Sequence, residues 1–199
     1  MRNIILASES KRRQRLLKDA GIKFQVLNSN LDETAAIKNL TNKRKNDLVK
    51  ILAILKATSA ILTNPGKLNG DEIILGFDTI VVCKNKIINK PKNKKDALSK
   101  LTFLSNKKHD VYTGIAILDL KKKKAVVGYE RTAVKMKQIK KKEALDYIKT
   151  KEPMDKAGAY AIQGIGKKFV KGISGDYSNV VGLPVKKFLS LLKPLVKGA

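Results

Sequence analysis

The 199-residue sequence has no tryptophan, one cysteine (Cys83) and one histidine (His109). Aromatic residues make up only 5% of it, which argues against a surface that stacks on nucleic-acid bases. A single cysteine excludes an intramolecular disulfide and fits a reducing cytoplasm, and on an apolar strand we expect it to be a small core residue. A single histidine cannot build a metal site alone, so we expect His109 to be structural.

Long apolar runs are missing too, and none reaches the length of a membrane span. The sequence passes from Met1 straight into an apolar strand without the longer apolar segment of a signal peptide, so we expect no secretory signal. We find no internal repeat, no low-complexity linker and no clear domain boundary. With 43% hydrophobic residues the chain can bury a proper core, and we expect a single domain over residues 1–199.

Acidic residues are scarce, at 17 against 43 lysines and arginines, for a formal charge of +26. Nucleic-acid binding is one interpretation of this excess, and a general surface bias towards lysine is the other. The lysines are scattered over nearly every predicted helix and turn, and no zinc-finger or RNP signature is present, which favours the surface bias. We therefore expect only non-specific binding of nucleic acid, and a field that attracts polyphosphate ligands.

The stretch that organises the sequence is the apolar, β-branched run Ile73–Cys83, which predicts a buried strand followed by a hairpin to Pro91. Asp78 lies in the middle of this run. A buried carboxylate is costly unless a cation, a metal or several donors face it. The alternative is a structural aspartate that accepts backbone N–H bonds at a bulge beside Gly76, and the strand alone leaves both interpretations open.

A basic helix start is the second unusual feature. Ser10 is a plausible N-cap for a helix over residues 11–20, and Lys11, Arg12 and Arg13 fill its first turn. Cations there oppose the helix dipole, so the placement favours an anion that docks on the helix start. The alternative is a solvated basic turn.

The remaining pattern alternates apolar strands with amphipathic helices. We predict further strands at 3–7, 24–27, 109–118, 125–136, 159–162 and 169–173, and helices at 43–62, 93–104, 140–149 and 184–192, with a loose tail to residue 199. Lys56 lies on the second helix, where a lysine is exposed by default. Six of the 13 glycines fall between Gly158 and Gly182, so the backbone there must turn tightly or approach something closely.

Short motifs in a recognisable order cover almost the whole chain, leaving only the last few residues outside. They are Leu6–Arg13 with Leu16–Leu17, Gly76–Thr79, Lys90–Pro91 with Ala97, Leu104–Ser105, His109–Gly114, Asp155–Gly164 and Tyr177–Pro184. Each motif alone is weak, but together they resemble the Maf-like nucleoside triphosphate pyrophosphatases. The resemblance implies an α/β fold with a mixed twisted sheet flanked by helices, in two lobes around a cleft, as in the inosine triphosphate pyrophosphatases.

The resemblance also implies an activity. This family hydrolyses nucleoside triphosphates between the α- and β-phosphates in a metal-dependent site, and its members often form homodimers. Arg12 in place of a tryptophan, together with Ile162–Gly164, resembles the branch that acts on dTTP and UTP. A cytoplasmic enzyme of nucleotide metabolism is therefore expected. The alternatives are a protein that binds nucleic acid or the cell-division machinery, and a pyrophosphatase for purines of the ITP or XTP type.

The site residues carry over from the matching motifs. Asp78 would be the proton acceptor and would hold Mg²⁺ or Mn²⁺ together with Glu33. The residues implied to bind phosphate are Ser8, Ser10, Arg13, Lys56 and Lys90, and those implied to select the base are Arg12, Thr79 and Gln163. The amide of Gln163 can both donate and accept a hydrogen bond, which suits a pyrimidine edge that does the same.

Three positions depart from the family pattern. Lys11 replaces a proline and would add phosphate affinity, Phe77 replaces a small residue and would reshape the pocket, and Asp176 replaces a serine and adds a carboxylate with no assigned role.

Overall fold

The computed structural model describes residues 2–32, 35–37, 40 and 42–196. Its strands are β1 (Ile4–Leu6), β2 (Gln25–Val26), β3 (Ile73–Cys83), β4 (Lys86–Ile88), β5 (Lys108–Asp119), β6 (Lys124–Met136) and β7 (Val170–Ser174). Its helices are α1 (Lys11–Asp19), α2 (Lys45–Leu62), α3 (Lys94–Leu104), α4 (Lys141–Lys149), α5 (Tyr177–Val181) and α6 (Val185–Val196), with 3-10 helices at Glu152–Asp155, Ala157–Ala159 and Gly164–Phe169. The predicted elements are confirmed within about two residues, except in two places.

The first exception is the predicted strand at 159–162, which is wrong. The chain there leaves one 3-10 helix and enters another, because Gly158, Ala159 and Gly164 have positive φ angles of 76°, 58° and 76°. A strand requires φ well below zero, so this apolar run cannot extend. The second exception is the predicted loose tail: helix α6 continues to Val196, because Leu192 and Leu195 are buried on one face of it.

The described strands form a mixed sheet in the order β2-β1-β3-β5-β6-β7, with β4 paired to β3. Strand β1 runs parallel to both neighbours, with Leu6 opposite Leu75 of β3. The pairs β3–β4 and β6–β7 are antiparallel. This confirms the α/β class with a mixed sheet, whereas the cleft stays a prediction.

The chain divides into two compact units. The first contains Met1–Asp78, Thr113–Glu130 and Gly182–Ala199, as far as these ranges are described, and the second contains Thr79–Tyr112 and Arg131–Val181. Among the described helices, none is both long and apolar enough to cross a lipid bilayer.

The core of the first unit depends on a close approach of helix α2 to the strands. A Cβ added at Gly76 of β3 would lie 2.1 Å from the carbonyl oxygen of Ala53, and one added at Gly114 of β5 would lie 1.9 Å from that of Val49. Only glycine permits this contact, which explains both residues without a bulge or a ligand. Helix α2 therefore lies directly on the strand that carries Asp78.

The core of the second unit is built from α3, α4 and the far ends of the long strands. Its buried residues include Val81, Cys83, Leu101 and Tyr147, whose ring meets that of Phe169 edge to face at 5.3 Å between centroids. Cys83 is 1% exposed, which confirms it as a core residue, and burial raises the pKa of its thiol.

Candidate functional site

Asp78 forms a buried ion pair with Lys56. The carboxylate is only 3% exposed in the middle of β3, and its Oδ1 lies 2.6 Å from the Nζ of Lys56 on helix α2. Lys56 is itself only 7% exposed, so its default assignment as a surface lysine is wrong. A cation therefore faces the strand carboxylate, as expected if Asp78 is a buried charge rather than a structural aspartate at a bulge.

This pair is costly to form and costly to break. Removing two charges from water requires several kcal/mol per ion, and mutual attraction offsets that cost only while both partners stay. Removing Lys56 would leave the Asp78 carboxylate buried without this counter-charge, at a cost of about 3–5 kcal/mol. The site thus keeps a carboxylate oxygen and a lysine ammonium group in contact inside the first unit.

The segment Ser8–Arg13 forms a second cluster of the first unit. The Arg13 guanidinium is 8% exposed; its Nε donates to the Gly182 carbonyl at 2.9 Å and its Nη1 to the Ser8 hydroxyl at 3.2 Å. The Ser8 hydroxyl also accepts from the Ser10 N–H at 3.3 Å, and the Ser10 hydroxyl accepts from the Arg13 N–H at 3.5 Å. Arg13 is therefore fixed rather than part of a solvated turn, and Ser10 is the helix N-cap.

The strand register relates this segment to Asp78. The parallel β1–β3 pairing places Leu6 opposite Leu75, and the Ala7 N–H donates to the Leu75 carbonyl at 2.9 Å. Ser8 follows directly, beyond the carboxyl end of β1, at the kind of strand end where ligands of α/β sheets usually bind. The strand paired with β1 here is β3, which carries Asp78 three residues after Leu75.

Two of the three departures from the family pattern, Phe77 and Asp176, have a structural account. Phe77 lies in the core of the first unit, edge to face with Phe188 at 5.5 Å between centroids, and its effect on the shape of the pocket stays a prediction. Asp176 caps helix α5: its Oδ1 accepts from the N–H and the hydroxyl of Ser178, each at 2.7 Å. Lys11 is exposed at the start of α1.

The other predicted site residues are distributed as follows. Arg12 is half-buried on α1, and Thr79 is half-buried directly after Asp78 at the start of the second unit. Lys90 and Gln163 are exposed residues of the second unit, and Gln163 precedes the 3-10 helix Gly164–Phe169. Glu33 lies outside the described residues.

Sequence reasoning missed a hydrogen-bonded pair that supports the Gln163 segment. Glu152 accepts from the hydroxyl of Tyr147 at 2.9 Å and from the N–H groups of Ile165 and Gly166 at 3.1 and 3.0 Å. Burial acts to raise the pKa of Glu152, but these hydrogen bonds outweigh it and hold the pKa below its ordinary value. The glycines from Gly158 onward and the motif Asp155–Gly164 pointed to this region, but neither pointed to Tyr147 or Glu152.

His109 is a neutral core residue. Its Nε2 lies 2.8 Å from the hydroxyl of Tyr160, and the side chain is 2% exposed. Burial lowers the pKa of His109 to about 4, although the nearby charge of Asp110 acts in the opposite direction. The imidazole is therefore uncharged at neutral pH, which supports the structural role expected of it.

The carboxylates of the described residues show whether the protein alone could hold a divalent metal ion. Among the described residues, no group of three or more His, Cys, Asp or Glu side chains is placed to hold a metal ion. Mg²⁺, however, is commonly bound by one or two carboxylates together with the phosphates of a substrate. Asp78 supplies a hard oxygen ligand of this kind and so fits a metal that arrives with a triphosphate.

The chain was compared with protein families, with curated proteins and with solved structures. A family model described as "Maf-like protein" matches residues 3–195. The chain is 46% identical over 193 residues to proteins named "dTTP/UTP pyrophosphatase" from Bacillus anthracis and Bacillus cereus, covering 97% of this chain and 95% of each relative. Among solved structures, a HAM1 protein from Coxiella burnetii aligns over 100% of both chains at 15% identity with a TM-score of 0.44. The Ham1 protein of Staphylococcus aureus aligns over 67% of this chain and 71% of its own at 12% identity, with a TM-score of 0.39.

Proposed function

This chain belongs to the Maf-like protein family, and from that premise we infer that it is a nucleoside triphosphate pyrophosphatase acting on dTTP and UTP. The products are the nucleoside monophosphate and pyrophosphate. Relatives of this name match at 46% identity along nearly the entire chain, which supports both the activity and the substrates. The single structural observation that carries the proposal is the buried Asp78–Lys56 pair, since it holds a base and a phosphate-binding cation in one place.

In the proposed reaction, Asp78 accepts a proton from a water molecule as the water oxygen bonds to the α-phosphorus. The bond from that phosphorus to the oxygen bridging to the β-phosphate breaks, and pyrophosphate leaves with the bonding electron pair. The ionised carboxylate is ready for this role because Lys56 balances its charge until substrate arrives. When substrate binds, its phosphates are proposed to form a second ion pair with Lys56.

Charge neutralisation falls to the basic side chains. Arg13, held by Gly182 and Ser8, presents a fixed guanidinium to the phosphates, and the hydroxyls of Ser8 and Ser10 lie beside it as donors. Lys90 is proposed to add a further cation to the triphosphate. Fixed donors of this kind stabilise the charge that develops on the phosphoryl oxygens in the transition state.

A divalent cation, Mg²⁺ or Mn²⁺, is proposed to be held by Asp78 and Glu33 together with the substrate phosphates. When bound, it would supply Lewis-acid polarisation of the phosphoryl oxygens. Asp78 and Glu33 would orient it through carboxylate oxygens, the ligand type that such cations prefer.

Base selection is proposed to rest on Arg12, Thr79 and Gln163. The exposed amide of Gln163 can donate to a pyrimidine carbonyl and accept from the ring N–H of uracil or thymine. Cytosine presents the reverse pattern at its exocyclic group, so CTP is the informative competitor.

The test is a substrate assay. Incubation with dTTP or UTP and Mg²⁺ should release pyrophosphate, and Asp78→Asn should lower kcat by about 10³-fold, the middle of the range for loss of a general base. Release of orthophosphate would contradict the assigned bond, and full pyrophosphate release by Asp78→Asn would contradict the assigned base. The matched control is Asp119→Asn: Asp119 is a buried aspartate of the first unit that pairs with Arg2, and this variant should keep kcat.

Three further properties stay predictions. A homodimer would appear as a doubled mass in sedimentation. Binding of nucleic acid should be sequence-blind and fall steeply with salt. A cytoplasmic location follows from the proposed substrates.

A further inference from the structure

The backbone on both sides of Gln163 is tied to one pair of side chains. On the amino-terminal side, the N–H of Ala161 donates to the Tyr147 hydroxyl at 3.1 Å. On the carboxyl-terminal side, the N–H groups of Ile165 and Gly166 donate to the Glu152 carboxylate. Gln163 itself is exposed, at the apex between these two attachments.

The two side chains form one rigid support. The Tyr147 hydroxyl donates its hydrogen to the Glu152 carboxylate at 2.9 Å. The same hydroxyl oxygen accepts the hydrogen bond from the Ala161 N–H, so the two attachments of the segment are linked to each other. Tyr147 is 1% exposed on helix α4, and its ring packs against Phe169. The support is thus part of the core of the second unit.

The segment packs so closely against Tyr147 and Glu152 that Gly164 and Gly166 have no room for a side chain. A Cβ at Gly164, which has a φ of +76°, would lie 2.7 Å from a carboxylate oxygen of Glu152. A Cβ at Gly166 would lie 2.5 Å from the Ala161 carbonyl oxygen and 2.6 Å from the Tyr147 hydroxyl. Both glycines are required for the segment to wrap the pair, which is a second observation independent of the hydrogen bonds.

We propose that Tyr147 and Glu152 are positioning residues that set the base specificity of the enzyme by fixing the segment around Gln163. This inference rests on the proposed function, in which Gln163 contacts the base. An exposed amide selects one base best if its backbone is held in place, because a displaced backbone moves the amide out of hydrogen-bonding distance of the favoured base.

The test is a double-mutant cycle on the discrimination ratio, defined as kcat/KM for UTP divided by kcat/KM for CTP. Tyr147→Phe removes the hydroxyl and keeps the ring. It should lower the ratio by roughly fivefold through a higher KM for UTP, with kcat for UTP nearly unchanged. Gln163→Ala should lower the ratio by about tenfold. In the Gln163→Ala background, Tyr147→Phe should have no further effect on the ratio.

Two other variants separate this role from simple stabilisation. Tyr160→Phe also removes a buried hydroxyl of the second unit, the one bonded to His109, and it should leave the ratio unchanged. Glu152→Gln keeps the shape and one acceptor oxygen, and it should give a smaller fall of the ratio than Tyr147→Phe.

The outcomes are distinguishable. If Gln163→Ala alone leaves the ratio unchanged, the base contact of the proposed function is wrong and this inference falls with it. If Gln163→Ala lowers the ratio but Tyr147→Phe does not, or lowers it equally in both backgrounds, the positioning role is overturned and the base contact stands.

Discussion

The two units bury polar side chains of different kinds. Among the described residues, the buried charged side chains all lie in the first unit: Arg13, Lys56, Glu72, Asp78 and Asp119. In the second unit the buried polar side chains are neutral at pH 7: His109, Thr132 and Asn179. Neutral groups need only hydrogen bonds, whereas a buried charge needs a counter-charge or several donors.

Buried charge by itself does not mark a catalytic residue. Asp119 is matched by Arg2, and Glu72 accepts from the N–H groups of Asn69 and Gly70, both at 3.0 Å. These carboxylates hold loops and termini, and the Arg2 guanidinium lowers the pKa of Asp119. Asp78 differs because it pairs with Lys56 of helix α2, a lysine that the proposed function assigns to phosphate binding. The comparison therefore separates buried charge, which within the described part of the chain lies in the first unit, from the neutral polar groups that are buried in the second.

The largest effect is expected from a substitution that breaks the Asp78–Lys56 pair of the first unit. Lys56→Met should lower kcat/KM for UTP by about 10²–10³-fold, because a charge-neutralising group is lost. It should also lower the free energy of unfolding by about 3 kcal/mol, because Asp78 stays buried without a partner. Arg2→Met is the matched control, since it breaks the other buried pair and should cost similar stability while kcat/KM is retained. Equal loss of kcat/KM in both variants would contradict the assignment.

The next effect concerns pH and the neutral core of the second unit. The pKa of His109 falls from 6.5 in the unfolded chain to about 4 in the fold. Between these values the unfolded state binds more protons, so stability is full above pH 6.5 and declines as pH falls towards 4, by roughly 3 kcal/mol. Urea titrations at several pH values measure this decline.

A matched variant assigns that decline to one residue. In His109→Phe the decline between pH 6.5 and about 5, above the range in which carboxylates titrate, should disappear, and its persistence there would contradict the role of His109. The Asp119–Arg2 pair of the first unit loses its contribution to stability at lower pH than His109 does, because the pKa of Asp119 lies below the ordinary aspartate value. Stability from the Asp119–Arg2 pair is present above that ordinary value and is lost as pH falls through the lowered pKa.

The smallest expected effect tests the contact between helix α2 and β3. Gly76→Ala should lower the free energy of unfolding by about 2 kcal/mol and reduce kcat, because the added methyl pushes against Ala53 on the helix that carries Lys56. Gly172 of β7, in the second unit, has nothing within 4 Å of an added Cβ. Gly172→Ala should therefore change stability by less than about 0.5 kcal/mol. Chemical denaturation of both variants decides the comparison, and a neutral Gly76→Ala would contradict it.

Most elements of the fold were predictable because their signals are local. The apolar run Ile73–Cys83 and the N-cap Ser10 carry their structure in neighbouring residues. The prediction for residues 159–162 was wrong because the determining contact is not local. The apolar pattern there suits a strand, but the Ala161 N–H is hydrogen-bonded to Tyr147, which in turn is bonded to Glu152. Glu152 looks like any surface glutamate until that contact is known.

The sequence by itself determined that Asp78 would be a carboxylate inside apolar β-structure, because burial of that strand follows from its composition alone. It also determined the family, through motifs spread along the chain. Only the tertiary structure decided that Lys56 is the cation that faces Asp78. Helical spacing places a lysine on a face but does not say what packs there, and the approach through Gly76 that joins the two depends on contacts between distant parts of the chain.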